Sequence, residues 1–419
     1  MDTAKIKLVL YSLIKWLLIC MIVGVLIGST TALFLKSLDA VTSWRENNLW
    51  IIYGLPIAGL CIGLLYHFYG EEASKGNNLL LVAHHKQTIK NKYRIPFVMA
   101  PLIFITTIIT HLVGGSAGRE GTAVQMGGAI ADQFSSLFKL TNEQRKTVLI
   151  IGISAGFSSV FGTPIAGAVF ALEVMLFKNT KITDILPSIV TAYIAHFICL
   201  AWGVHHTDYV ISSIPAFSFT KLIWAIPAGA IFGLAAMLFT FTSTFWNYFF
   251  NKIKNILLLP VLGGMVLAII IQYIHSTKYI GLGIPTIIDA FANPANKYDF
   301  LLKILFTTFT LSAGFKGGEV TPLFFIGATL GNILIWFIPL PMSLLAGMGF
   351  VAVFAGATHC SIASIILGIE LFGWEAGVFI GIASVVAYFT SGSTGIYSAQ
   401  QKQGAKYVLY NYLKRISTF

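Results

Sequence analysis

Two acidic residues stand in glycine-rich breaks between apolar stretches: Glu120 in Gly118-Arg119-Glu120-Gly121-Thr122, and Glu319 in Gly317-Gly318-Glu319-Val320-Thr321-Pro322. A carboxylate inside an apolar layer is costly unless it faces water, is paired or has a task. Beside backbone N–H groups, Glu120 can alternate between a carboxylate that stands in for an anion and a neutral acid, as a proton-coupled gate requires. Its other reading is a structural partner for Arg119. In the second segment glycines free the backbone, Pro322 suits the first turn of a helix, and Thr321 brings a hydroxyl to a helix end that attracts anions. Gly121 and Val320, opening the two following helices, are candidate anion-binding positions together with Thr321. Glu319 is a candidate proton carrier, and Lys316 a charge that concentrates anions, unless the two pair with each other.

Two further segments offer neutral donors. Asn77 and Asn78 in Gly76-Asn77-Asn78-Leu79 carry side-chain amides that hold an anion without trapping it as a fixed positive charge would. Gly281-Leu282-Gly283-Ile284-Pro285 is their loose partner later in the chain. Asparagine is also an ordinary helix N-cap. Tyr397, in Gly392-Ser393-Thr394-Gly395-Ile396-Tyr397, places a phenol after the last apolar run, a position also filled by ordinary interfacial tyrosines.

The elements that position these groups must lie in lipid. Of 419 residues, 56% are hydrophobic and 10% charged, and the mean hydropathy is +0.81, outside the range of soluble domains. About ten apolar runs reach the length of a bilayer-spanning helix, among them 147–176, 343–371 and 376–390, and nothing is left for a soluble domain. The first run is too long for a signal peptide and lacks a small-residue cleavage pattern, so it is expected as a retained helix. Cys20, Cys61, Cys199 and Cys360 fall inside apolar runs without ligand-like spacing and are expected as free, packed thiols. The net charge of +11 gathers in short connections: Lys86, Lys90, Lys92 and Arg94; Lys139, Arg145 and Lys146; Lys402, Lys406, Lys414 and Arg415. The positive-inside rule puts these segments and the C-terminus in the cytoplasm. No groove-binding module accompanies the charge, so no nucleic-acid partner is expected.

The chain repeats itself. Ser116-Ala117-Gly118 recurs as Ser312-Ala313-Gly314, 196 positions on, Ser154-Ala155-Gly156 is echoed by Phe354-Ala355-Gly356, and Ala171-Leu172-Glu173 by Gly368-Ile369-Glu370. Such order predicts two related halves, 1–215 and 216–419, opposed in the membrane, with broken helices meeting near the midplane.

Taken together, these motifs resemble the CLC family of chloride channels and anion/proton antiporters over nearly the whole chain. Gly118-Arg119-Glu120-Gly121-Thr122 is similar to that family's GREGP, Gly317-Gly318-Glu319-Val320-Thr321-Pro322 to its GxFxP region, and 155–173 to its segment ending in paired glutamates. The resemblance implies an all-α integral membrane fold, a homodimer with one pore per subunit, Glu120 as gating glutamate and Tyr397 as inner tyrosine. Departures point to the fluoride-exporting branch. Asn77 stands where the chloride branch has its site serine, Thr122 replaces the proline, Val174 replaces the second of the paired acids, and Glu319 and Thr321 occupy apolar positions. Fluoride holds its water strongly, so a dry site must offer close O–H and N–H donors in exchange; Asn77, Thr321 and Tyr397 supply them, although the same donors also suit chloride.

The expected function is therefore a fluoride/proton antiporter conferring fluoride resistance, in a bacterial plasma membrane, with fluoride and protons as substrates and no metal or cofactor. Alternatives of the same fold are a chloride/proton antiporter and a passive anion channel. A remote one is an intramembrane serine hydrolase, since Gly114-Gly115-Ser116-Ala117-Gly118 matches GxSxG, with His111 nearby. No HExxH or cysteine–histidine cluster suggests a metalloenzyme, and His84-His85 and His205-His206 are expected in solvated loops.

Overall fold

The computed structural model describes residues 3–85, 95–175, 181–253, 255 and 257–416. The basic cluster Lys86, Lys90, Lys92 and Arg94 lies outside them, as do the side chains of Lys414 and Arg415. Among the described residues every regular element is a helix, with a single isolated β-bridge, Gly118 to Gly318.

The first half contains α1 (Thr3–Asn47), α2 (Leu55–Tyr69), α3 (Asn77–His85), α4 (Met99–Leu112), α5 (Glu120–Leu137), α6 (Asn142–Phe161), α7 (Pro164–Val174) and α8 (Ile182–Ala201). The second contains α9 (Phe219–Ile223), α10 (Ala225–Phe250), α11 (Leu258–Ile274), α12 (Ile284–Ala292), α13 (Asp299–Ser312), α14 (Val320–Ile333), α15 (Met342–Thr358), α16 (Ser361–Thr390) and α17 (Ala405–Ile416). Helices α2 to α7 find their counterparts in order in α11 to α16. Thus α3 and α12 have 9 residues each, and α4 and α13 have 14 each.

This correspondence corrects the register read from the triplets. Helices α4 and α13 end at 112 and 312, and α5 and α14 begin at 120 and 320, so the equivalent positions here are 200 apart. Ser116-Ala117-Gly118 belongs to the loop before α5, whereas Ser312-Ala313-Gly314 straddles the end of α13; the two triplets differ by one helical turn. Small residues recur wherever helices pack closely, which is why a triplet of them slides along the chain undetected. The helix pair α5/α6 crosses where a Cβ on Gly127 would run into the carbonyl of Gly152, and α14/α15 crosses likewise at Gly327 and Gly349. Gly152 therefore matches Gly349, and the echo of Gly156 in Gly356 is also displaced. The acidic echo is in register: the Glu173 carboxylate accepts from Ile362 N at 3.0 Å and Ala363 N at 2.7 Å, and Glu370 from Ile165 N at 2.9 Å and Ala166 N at 2.6 Å. Each half caps a helix of the other with its own carboxylate.

Five helical stretches are long and apolar enough to cross a membrane: Leu10–Asn47, Leu49–Tyr69, Thr183–Ala201, Phe219–Phe250 and Ser361–Thr390. Five apolar helices are shorter: Met99–Leu112, Pro164–Val174, Leu258–Ile274, Val320–Trp336 and Met342–Thr358. Two of the expected runs are thus broken. Run 147–176 divides at Gly162, a left-handed C-cap (φ 85°) followed by Pro164 at the start of α7. Run 343–371 divides at His359, also left-handed (φ 57°). The break expected between the runs 343–371 and 376–390 is present at Gly373, whose backbone is not helical (φ 80°, ψ 170°) and divides the stretch 361–390. Cys20, Cys199 and Cys360 are buried free thiols as expected, but Cys61 is exposed on α2. Of the histidine pairs, His205 and His206 lie in a loop as expected, His205 exposed and His206 stacked on His196 with ring centroids 5.8 Å apart, whereas His84 and His85 end α3 and are half-buried.

Candidate ion pathway

The two glycine-rich loops meet at the centre. Gly118 N donates to Gly318 O at 2.6 Å and Gly318 N to Gly118 O at 2.8 Å. The contact leaves no room for side chains: a Cβ on Gly318 would stand 2.7 Å from Gly121 N, and one on Gly118 would stand 2.9 Å from Pro322 Cδ. This antiparallel pair sets the N-termini of α5 and α14 against each other, so that a side chain from one helix start reaches the backbone of the other.

Glu120 does so. Its Oε2 accepts from the Thr321 hydroxyl at 2.6 Å and from Thr321 N at 3.0 Å, and from Arg119 N at 3.4 Å. Its Oε1 has no hydrogen-bond partner and lies 3.7 Å from Arg119 Nε. The side chain is 1% exposed. A carboxylate here occupies the position an anion would take at the start of α14, bound by a backbone N–H and a hydroxyl together. Arg119 therefore accompanies Glu120 without satisfying it; the principal donor is Thr321. Val320, the first residue of α14, is buried beside them.

Beside this pair lies a cavity of about 170 Å³ whose wall includes Asn77, Asn78, Gln125, Lys316, Glu319 and Tyr397. It reaches exposed residues at Ser74 and Lys75 and buried ones at Tyr397. Gly121, next to Glu120, borders the cavity: a side chain there would be 3.4 Å from Asn77 Nδ2 and 3.8 Å from Glu319 Oε2. Asn77, with a buried Oδ1 that has no hydrogen-bond partner, opens α3 as expected. Asn78 is committed through its Oδ1, which accepts from Ala399 N at 2.9 Å and so ties α3 to the segment carrying Tyr397. Tyr397 is 7% exposed, its ring 6.5 Å from that of Phe170. All of Glu120, Gly121, Glu319, Val320, Thr321, Asn77, Asn78 and Tyr397 are thus gathered into one region.

Lys316 and Glu319 form no ion pair within 4.0 Å; instead the Lys316 ammonium lies 4.3 Å from the centroid of the Tyr66 ring. Tyr66 and Gln125 are lining residues that sequence reasoning missed. Both lie on helices, Tyr66 on α2 and Gln125 on α5; the 200-residue register, which sets Gln125 opposite Phe325, is a signal for Gln125 alone. The hydroxyl of the GxSxG serine is engaged by a threonine: Ser116 Oγ shares a hydrogen bond with Thr307 Oγ1 at 2.8 Å.

Comparison with known proteins agrees with this geometry. A family model described as voltage gated chloride channel matches residues 58–392. The chain is 46% identical over 400 residues to a chloride/fluoride channel protein of Pseudomonas syringae pv. tomato, covering 94% of this chain and 88% of that one. It is 26% identical over 387 residues to the H(+)/Cl(-) exchange transporter ClcA of Vibrio cholerae, covering 85% and 81%. A crystal structure of a CLC-type fluoride/proton antiporter superposes with a TM-score of 0.89 at 33% identity, covering 94% of this chain and 99% of that one. A cyanobacterial Cl-/H+ antiporter at 18% identity, with a TM-score of 0.77, shares the fold. With a family model matching well over half its length and the paired helix starts that the motifs imply, this chain is a multi-pass, membrane-embedded member of the voltage-gated chloride channel (CLC) family.

Proposed function

We propose that this protein is a CLC-type fluoride/proton antiporter that exports fluoride at the expense of an inward proton gradient and so confers fluoride resistance. The observation that carries the reading is the Glu120 carboxylate bound to both the N–H and the hydroxyl of Thr321. An anion reaches these donors only by displacing Glu120. Protonation of Glu120 removes the charge that makes its hydrogen bonds strong, the side chain leaves, and fluoride takes the two donors. Asn77 and Tyr397 extend the donor set toward the cavity, with the Gly121 and Val320 backbones lining the passage, and Glu319 supplies a second acid for proton relay. Asn78 holds the Tyr397 segment in place as well as lining the cavity.

The preference for fluoride over chloride rests on the hydroxyl of Thr321. A small, strongly hydrated anion is stabilised in a dry site by short O–H and N–H contacts, and Thr321 offers one of each from a single residue. The fluoride/proton antiporter at 33% identity and the 46% identical relative named for both halides support the choice. A passive channel is the second reading, favoured by Val174 at the place of the family's internal acid and by the word channel in that relative's name.

The proposal extends to a homodimer in a bacterial plasma membrane, with the C-terminus in the cytoplasm and the two repeats dividing at 215/216. The basic residues Lys139, Arg145, Lys146 and Lys402 favour that orientation by the positive-inside rule.

The test is purified protein in liposomes, with fluoride, chloride and internal pH followed under an opposing proton gradient. Uphill fluoride movement driven by protons, with chloride lagging, is the expected result. Uphill chloride makes it a chloride antiporter, and fluoride flux indifferent to protons makes it a channel.

A further inference from the structure

Lys316 and Glu319 are three residues apart on one short loop and share the cavity wall, an arrangement in which an ammonium and a carboxylate ordinarily close on each other. They do not. The ammonium sits over the face of Tyr66, 4.3 Å from the ring centroid, within the range where a lysine is held by an aromatic quadrupole. Tyr66 is 6% exposed near the end of α2, a helix separate from the loop that carries Lys316. From the other side, Lys316 N donates to Thr110 Oγ1 at 3.2 Å, which fixes the loop backbone from which the side chain departs. The other lysine of the cavity wall, Lys75, is already paired with Glu72 at 3.1 Å. Lys316 is therefore the cavity's cation without a carboxylate partner among the described residues.

We infer that Tyr66 is a positioning residue: its ring holds the Lys316 ammonium away from Glu319, leaving the carboxyl free to take up a proton and the ammonium free to draw an anion into the cavity. The inference rests on the fluoride/proton exchange reading and adds a residue to it. Without the ring face, the lysine can turn to the Glu319 carboxylate, which shares the cavity wall with it, and an adjacent cation favours the charged form of a carboxyl. Proton relay then slows although neither Glu120 nor Glu319 has changed.

Full-length protein in liposomes tests this with proton-coupled fluoride exchange as readout. Tyr66→Met fills the space without a ring face, and Tyr66→Leu is made in parallel so that a folding failure of either leaves the other. Both are expected to exchange roughly ten-fold more slowly, equivalent to about 1.4 kcal/mol, while Tyr66→Phe, which keeps the ring, matches the wild type. Adding Lys316→Met to Tyr66→Met is expected to restore proton coupling while raising the fluoride concentration at half-saturation, a recovery that a loss of packing does not produce. Lys316→Met alone keeps coupling and shows the same raised half-saturation. The inference is overturned if Tyr66→Met exchanges normally, if Tyr66→Phe is as slow as Tyr66→Met, if the double variant stays slow, or if Lys316→Met alone uncouples. A wild-type protein that passes fluoride without protons overturns the exchange reading itself, and the role of Tyr66 in it.

Discussion

The loops 114–120 and 314–320 have one backbone and two chemistries. Gly114 and Gly314 both take positive φ (86° and 99°), Gly118 and Gly318 pair with each other, and α5 and α14 start at equivalent positions. The side chains do not follow. Ser116 faces Lys316 in the register, Arg119 faces Glu319, Glu120 faces Val320 and Gly121 faces Thr321. The acceptor of the first loop is consequently bound by the donor of the second, Glu120 by Thr321, and no second copy of that bond exists. The same holds one turn further: a side chain at Gly76 would meet Gln125 at 3.5 Å, whereas one at Gly283 would meet the Phe325 ring at 2.7 Å. A polar wall of the cavity in one half is an aromatic plug in the other. A symmetric frame supplies two facing helix starts, and asymmetric side chains put the acceptor on one and its donors on the other.

The largest effect is expected from removing the unshared acid. Glu120→Gln keeps size and hydrogen bonding but carries no titratable proton, and proton flux driven by a fluoride gradient should fall by roughly 10²-fold or more, as for loss of an acid–base group. Coupled exchange at the wild-type rate would remove Glu120 from the gate. Next comes its donor. Thr321→Val deletes one hydroxyl while leaving the backbone N–H, and a hydrogen bond to a charged partner is worth about 1.5–3 kcal/mol. Fluoride half-saturation should rise by about ten- to a hundred-fold, and that of chloride by less. An equal rise for both anions would leave the hydroxyl's part in selectivity unsupported.

Sequence reasoning found the asymmetric parts of this arrangement more readily than the symmetric ones. Glu120, Glu319, Thr321, Asn77 and Tyr397 stand out because polar side chains at glycine breaks in apolar sequence are rare, and the structure gathers them. Glu173 and Glu370 are the symmetric exception: each is an acid inside an apolar helix, and that rarity keeps their echo in register. The glycine echoes misled by about a helical turn, because small residues mark close packing at many positions and not one. Helix breaks at Gly162 and His359 were missed: apolar composition runs straight through them, and a left-handed histidine carries no sequence signal. Tyr66 and Gln125 looked like ordinary helix residues until folding put them against Lys316 and Gly76.

The shared frame itself should respond evenly. Gly318→Ala and Gly118→Ala each force a methyl group into backbone or Pro322 contacts at 2.7–3.0 Å, and each should destabilise by about 1–3 kcal/mol in thermal unfolding of the detergent-solubilised protein. A large loss at one site and none at the other would mean that the bridge is not the symmetric pivot it resembles.

The smallest effect tests whether the caps on α7 and α16 are equivalent. Glu173 and Glu370 each accept two backbone N–H groups from the opposite half, so Glu173→Ala and Glu370→Ala should each lower stability by about 1 kcal/mol, as for other lost helix caps. The two carboxylates differ in their setting: Glu173 stands next to Val174 at the end of α7, while Glu370 lies inside α16. Thermal unfolding together with proton flux separates the roles. Matched stability losses with coupling intact in both variants make the carboxylates reciprocal caps; a Glu173→Ala protein of normal stability that no longer couples protons to fluoride would make Glu173 an inner proton acceptor, and the proton route would then carry the same asymmetry as the anion route.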